Sequence, residues 1–176
     1  MASWYAVSMP ERIQIVDEND QPIGASTRQE AWANGSFYRL VQIVVRDEQG
    51  NFLLQKRSME KPLYPGRWTN AASGHVDEGE TYETSAPREL AEEIGVTTPL
   101  TFVGKFLVQK QEEDKIINQF NGVFEGRIAG NTKLTLQPEE VSETRWIAPE
   151  ELRQMIDHSP NSFTPAMVRA LQEFYL

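Results

Sequence analysis

Between Gly74 and Val96 the chain reads G-H-V-D-E-G-E-T-Y-E-T-S-A-P-R-E-L-A-E-E-I-G-V, and no other stretch constrains its folding as tightly. Glu89, Glu92 and Glu93 stand at i, i+3 and i+4, spacings that share one face of an α-helix. Like charges so placed cost a helix roughly a few tenths of a kcal/mol per pair. Such a face is tolerable in water and useful against a divalent cation. Hard cations such as Mg²⁺ take oxygen ligands, commonly one or two carboxylates plus substrate phosphates and waters. The flanks mark the ends of that helix. Thr81 is a good N-cap, Gly95 suits a left-handed C-terminal cap, and Leu90, Ile94 and Val96 supply an apolar side to lay on a sheet. Gly74 and Gly79 are expected to let the chain turn tightly ahead of it. Pro87 removes a helical hydrogen bond, so a kinked or late-starting helix is expected.

The rest of the chain supplies strands and further helices. Arg12 to Val16 alternates like a short strand, and Asp17 to Gln21 is polar turn material leading to Pro22-Ile23-Gly24. Thr27 to Trp32 predicts one or two helical turns. Leu40 to Val45 and Phe52 to Gln55, joined by Asp47-Glu48-Gln49-Gly50-Asn51, predict a hairpin. Phe102 to Val108 and Ile116 to Ile128 predict two more strands around the polar turn Gln111 to Lys115. Arg145 to Ile147 reads as a short strand, and Pro149 at the first helical position opens a helix through about Ile156. From about Thr164, Met167, Ala170, Leu171 and Phe174 recur at helical spacing. Trp146, Phe163 and Phe174 are expected in the core. This order implies an α/β chain with a mixed sheet and helices on its faces. A length of 176 residues suits one domain with a real core. Residues 1–36 are read as an N-terminal strand and helix extension and 37–176 as the core.

Composition narrows the function. A net charge of −9, from 26 acidic and 17 basic residues, argues against a general nucleic-acid-binding surface, which is normally basic. The chain has no cysteine, so disulfides and thiolate-bound zinc are excluded. No apolar run approaches the ~18–20 residues of a membrane span, and Met1 to Pro10 lacks the pattern of a signal peptide. A cytoplasmic protein that binds neither membrane nor nucleic-acid duplex is expected.

The spacing of Gly74, Glu80, Arg88, Glu89, Leu90, Glu92, Glu93, Gly95 and Val96 resembles the complete Nudix box, with no fixed position departing from the pattern. The resemblance implies a Nudix hydrolase with an α/β/α sandwich around a mixed central sheet, working with Mg²⁺ or Mn²⁺. It makes Glu92 and Glu93 metal ligands and Glu89 a ligand to a second ion or the group that orients water. The Ser73 main-chain carbonyl is a further candidate ligand. Arg88 is given a structural role, pairing with Glu80, and Gly74 and Gly95 complete the structural part of the box. A homodimer is a common state in the family. A general base often comes from a loop outside the box, where Glu139, Glu140, Glu143, Glu112, Glu113 and Asp114 are candidates.

Outside the box, Leu53 to Arg57, Lys61, Pro65 to Asn70, Ser73 to His75, Pro138 to Glu143 and Trp146 resemble the isopentenyl-diphosphate isomerase branch and its bacterial hydrolase-like relatives. Arg57 and Lys61 match positions that hold the diphosphate there, and His75 is a candidate to reach a phosphate or metal. Isomerase chemistry is nevertheless disfavoured. Ser73 stands where the isomerases carry a proton-transferring cysteine, and a hydroxyl is far less acidic than a thiol. Ile117 and Gln119 replace their glutamates, and Tyr38 replaces an early metal-binding histidine. Trp32, Phe37, Tyr64 and Trp68 either stack on a base or fill core and rim. The expected substrate is a small diphosphate or a nucleoside diphosphate derivative. The alternatives are an isomerase and a Nudix module that binds its ligand without turnover.

Overall fold

The computed structural model describes residues 11–176, so the reading of Met1 to Pro10 lies outside the described residues. Strands β1 (Arg12–Val16) and β2 (Pro22–Thr27) form a hairpin that leads through helix α1 (Arg28–Asn34) into the long strand β3 (Phe37–Arg46). Then come β4 (Phe52–Arg57), the short strands β5 (Trp68–Thr69) and β6 (Ala72–His75), and helix α2 (Tyr82–Ile94). A long hairpin of β7 (Leu100–Glu112) and β8 (Lys115–Arg127) precedes β9 (Val141–Ile147), α3 (Pro149–His158) and α4 (Pro165–Phe174). No helix among the described residues is long and apolar enough to cross a membrane.

The strands form one mixed sheet built on β3. Along one edge β8 runs parallel to it, Phe37 to Arg46 against Asn118 to Arg127, with β7 antiparallel beyond. Three antiparallel neighbours share the other edge: β1 at Phe37 and Tyr38, β6 from Leu40 to Ile43, and β4 at Val45 and Arg46. The period of two along a strand divides the buried residues between two cores. Val41, Ile43, Val45 and Leu53 meet Tyr82, Ala86, Leu90 and Ile94 of α2. Val44, Phe52 and Leu54 meet Leu152 and Ile156 of α3 and Met167, Ala170 and Leu171 of α4. Helices therefore cover both faces, which is the α/β/α layering. A smaller core of Ile13, Ile15, Ala31, Trp32, Tyr38 and Ile117 roots the N-terminal hairpin and α1 against β3 and β8.

Several expectations change. Helix α2 does not start late: Thr81 caps it at Tyr82, with a reciprocal Thr81–Thr84 capping box, and Pro87 lies inside it. The expected Gln111 to Lys115 turn shrinks to Glu113 and Asp114, with Glu113 in the left-handed region at φ 55°. Strand β9 begins at Val141 and not Arg145, because it pairs with β4 as far as Arg57. Strands β5 and β6, and most of β2, carry no strand signal in the local sequence. Ala72-Ser73-Gly74-His75 has no strand periodicity of its own and is extended because β3 offers it an edge. Phe163 is buried, whereas Trp146 and Phe174 are partly buried against the two cores.

Candidate active site

Strand β6 and helix α2 meet at a glycine. A Cβ built on Gly74 would stand 2.0 Å from Glu89 Cδ and 2.2 Å from each of its carboxylate oxygens. Gly74 is not among the residues with positive φ, unlike Gly79 at φ 83°. The expectation that Gly74 serves a tight turn is therefore corrected: it sits in a strand and makes room for a carboxylate. Gly95 caps α2 at φ 70°, its N–H donating to the Ala91 carbonyl.

Arg88 ties the site together. Its Nε and Nη2 donate to Glu80 at 3.0 and 2.8 Å, its Nη1 donates to Glu89 at 2.8 Å and Glu92 at 3.2 Å, and Nη2 also reaches the His75 carbonyl at 3.2 Å. The Arg88 bonds, with a hydroxyl bond from Ser85, hold the Glu80 carboxyl below the usual carboxylate range. Glu89 and Glu93 are buried at 8% and 4% exposure. Glu92 lies at the rim, with its side chain 53% exposed. Glu93 accepts from Gln55 Nε2 and, at 3.3 Å, from the Ser73 N–H. Burial pushes Glu89 up to about 7, against the pull of Arg88. Burial and then the Glu89 charge push Glu93 up as well. A proton or a cation relieves two such carboxylates.

The donor set fits a hard divalent cation. It is all oxygen, as Mg²⁺ requires. Since the Ser73 N–H turns away from β3 toward Glu93, its carbonyl turns the same way in an antiparallel pair and is available beside the two carboxylates. The amide oxygen of Gln55 is buried and accepts no hydrogen bond among the described residues. Three carboxylate or imidazole groups do not converge ready-made among the described residues, because Glu92 leans on Arg88.

These carboxylates line one wall of a cavity of about 330 Å³, and Arg28, Arg57 and Lys61 line it as well. Arg57 Nε donates to the Leu63 carbonyl at 3.1 Å. Burial lowers its proton affinity, and the Glu93 and Glu140 charges only partly oppose this. Lys61 forms an ion pair with Glu140. The His75 ring lies 5.5 Å from that of Tyr38, and burial followed by the charges of Arg28, Lys61 and Arg57 pulls its pKa to about 3. Its imidazole is neutral at physiological pH.

The NUDIX domain family matches residues 37–167. The chain belongs to the Nudix family. It is 35% identical over 157 residues, 89% of its length and 88% of the relative's, to a Photorhabdus laumondii protein named isopentenyl-diphosphate delta-isomerase 2. It is 32% identical over 157 residues, 88% of its length and 89% of the relative's, to a Methanosarcina mazei protein named prenyl-diphosphate phosphatase. The crystal structure of a Deinococcus radiodurans protein matches with a TM-score of 0.78 at 25% identity, covering 94% of this chain and all 100% of that one.

Elsewhere in this Nudix hydrolase the structure sorts the remaining candidates. Of the six carboxylates considered as bases, Glu140 lines the cavity and the other five do not. Glu112 is bonded to Tyr64 and Lys110 at 2.8 and 2.6 Å, and Glu113 and Asp114 are 87% exposed at the hairpin tip. Glu143 lies 3.7 Å from Lys56, and Glu139 is exposed. Trp32 and Tyr64 line the cavity, whereas Phe37 packs on Phe120 and Trp68 lies beneath Lys56. At the positions matching the isomerase ligands, Trp32 Nε1 donates to the Tyr38 hydroxyl at 3.1 Å, which donates to Gln119 at 3.3 Å. Ile117 packs beside them. A neutral, internally bonded group occupies that end of the cavity.

Sequence reasoning missed Arg28 and Gln55. Arg28 stands outside the box, and only the docking of α1 against β8 brings it to the cavity. Gln55 did leave a signal, since an amide ending an apolar strand run and buried at 2% exposure needs a polar partner.

Proposed function

We propose that this Nudix hydrolase is a Mg²⁺-dependent enzyme, with Mn²⁺ able to substitute, that cleaves the phosphoanhydride bond of a small diphosphate or a nucleoside diphosphate derivative. One observation carries the reading: the buried Glu89–Glu93 pair and the cations Arg57 and Lys61 line the same cavity. Glu89, Glu92, Glu93 and the Ser73 carbonyl would hold the metal. A divalent cation bound there neutralises charge on the diphosphate oxygens. Arg57 and Lys61 would grip the diphosphate through charge-assisted hydrogen bonds, and neutral His75 would donate to it without adding charge. Arg88 holds the Glu89 carboxylate in place. The relative named prenyl-diphosphate phosphatase supports a small diphosphate as substrate.

Isomerase activity is the second reading, favoured by the name of the Photorhabdus relative. Ser73, Tyr38, Ile117 and Gln119 speak against it, since a serine and a neutral hydrogen-bonded chain cannot deliver and remove protons as a thiol and carboxylates do. The test incubates purified protein and Mg²⁺ with nucleoside diphosphate derivatives, isopentenyl diphosphate and longer prenyl diphosphates, beside Glu93→Gln. Products are separated by mass. Metal-dependent cleavage that vanishes in the variant supports the hydrolase reading and names the substrate. Isomerised isopentenyl diphosphate without cleavage would overturn it.

A further inference from the structure

We propose that Glu140 is the general base of this site and that Lys61 restrains it until an arriving diphosphate takes the lysine away. The inference rests on the hydrolase reading and adds a catalytic residue and an order of events to it. Glu140 stands on a loop, yet the backbone fixes it against the box helix. Gln137 N–H donates to the Glu93 carbonyl at 3.0 Å, Glu140 N–H donates to the Gln137 carbonyl at 3.0 Å, and Ser58 N–H donates to the Glu140 carbonyl at 2.9 Å. The main chain at Glu140 is thus held to α2 and to Ser58 by hydrogen bonds at both ends of a short turn, and its side chain lines the same cavity as Glu89 and Glu93. Its side chain is 30% exposed, so water reaches it, unlike the two buried carboxylates.

The three cations of the cavity are not equivalent. Among the described residues Arg28 and Arg57 form no salt bridge, whereas Lys61 is paired with Glu140. While that ion pair stands, the Glu140 carboxylate is engaged by the ammonium and not by water. A diphosphate carries more negative charge than one carboxylate, and the lysine ammonium is a point charge on a flexible four-carbon stem. The ammonium therefore exchanges Glu140 for phosphate oxygens when the ligand enters. Released, Glu140 takes a proton from water. The water oxygen forms a bond to phosphorus, the bridging P–O bond breaks, and its electron pair departs on the leaving phosphate. Glu140 then gives its proton to solvent.

The experiment measures binding of methylene diphosphonate, a diphosphate with a non-hydrolysable bridge, by calorimetry with Mg²⁺ present. Wild type, Glu140→Gln and Lys61→Met are compared, alongside steady-state kinetics on the cleaved substrate. Glu140→Gln is expected to bind severalfold tighter, because its lysine is no longer engaged, while kcat falls on the order of 10²–10⁴-fold, the usual worth of a general base. Lys61→Met is expected to bind at least about tenfold more weakly, the loss of one charge-assisted hydrogen bond, with a smaller change in kcat. Equal or weaker binding by Glu140→Gln, or a kcat within threefold of wild type, overturns the proposal. Should Glu140→Gln fail to fold, Lys61→Met decides, and undiminished binding there overturns it. Glu93→Gln separates the two readings. If it is dead while Glu140→Gln turns over normally, the base assignment alone falls. If it is fully active, the hydrolase reading falls.

Discussion

Replacing Gly74 by alanine tests whether that glycine exists to admit the Glu89 carboxylate. The added methyl would lie 2.0 Å from Glu89 Cδ, where ordinary contact is 3.4–4 Å. Strand β6 is paired with β3 from Ala72 to His75, so the side chain yields before the backbone does. The Glu89 carboxyl must retreat by more than about 1 Å, which breaks its 2.8 Å bond from Arg88. Overpacking of this kind costs roughly 1–3 kcal/mol. For a chain of this size that lowers the melting temperature by about 2–12 °C. A ~1 Å misplacement of a catalytic group can cost on the order of 10²-fold in rate, so kcat is expected to fall about that far. Thermal melts and kinetics check both values. The control places Gly74→Ala in a Glu89→Ala background, where the obstructing carboxylate is gone. There the extra stability loss is expected to fall below about 0.5 kcal/mol, a departure from additivity that marks the two positions as coupled, since independent sites add to within about 0.5 kcal/mol. A single variant with wild-type melting and rate, or an equal loss in both backgrounds, refutes the reasoning.

Glu89, pushed up from 4.5 to about 7 by burial, keeps a proton in the folded chain across a pH window where the unfolded chain has lost it. Metal-free wild type is therefore expected to lose stability relative to Glu89→Gln as pH rises from 4.5 to about 7, by about 3 kcal/mol in all. Urea unfolding in chelator checks this, and a pH-independent difference refutes it. Arg57→Met is expected to raise KM about 10–100-fold, the worth of a charged hydrogen bond of roughly 1.5–3 kcal/mol, with kcat less affected; an unchanged KM removes Arg57 from the diphosphate site. Asp20, 4% exposed and in the left-handed region at φ 61°, accepts from Arg39 at 2.6 Å, from Tyr82 at 3.0 Å and from Lys105. Asp20→Ala leaves the part-buried Arg39 guanidinium without its carboxylate partner and is expected to cost about 3–5 kcal/mol in denaturant unfolding, and a loss under about 1 kcal/mol would show the network carries little stability.

What could be read in advance was local. Thr81 and Gly95 bound α2 because a cap depends on residues within one turn, and Glu89, Glu92 and Glu93 share a face through helical spacing alone. The β3–β4 hairpin was legible because Asp47 accepts from the Gln49 and Asn51 N–H groups inside its own turn. Strand β6 was not legible, because nothing in Ala72 to His75 favours extension until β3 is beside it. The role of Gly74 is hidden from the local sequence for the same reason: the carboxylate it makes room for belongs to a residue fifteen positions later.

The box helix, its caps, the identity of its acids and the family they belong to follow from order along the chain, since each rests on neighbours a few positions apart. Folding in three dimensions decided which other residues join them. Gln55 meets Glu93 38 positions on, and Lys61 meets Glu140 79 positions on. Glu140 lines the cavity from the turn before β9, whereas its neighbour Glu139 is exposed there and Glu143 lies within β9 opposite Lys56. Such pairings depend on strand register and helix docking, which bring distant residues together whatever their local sequence.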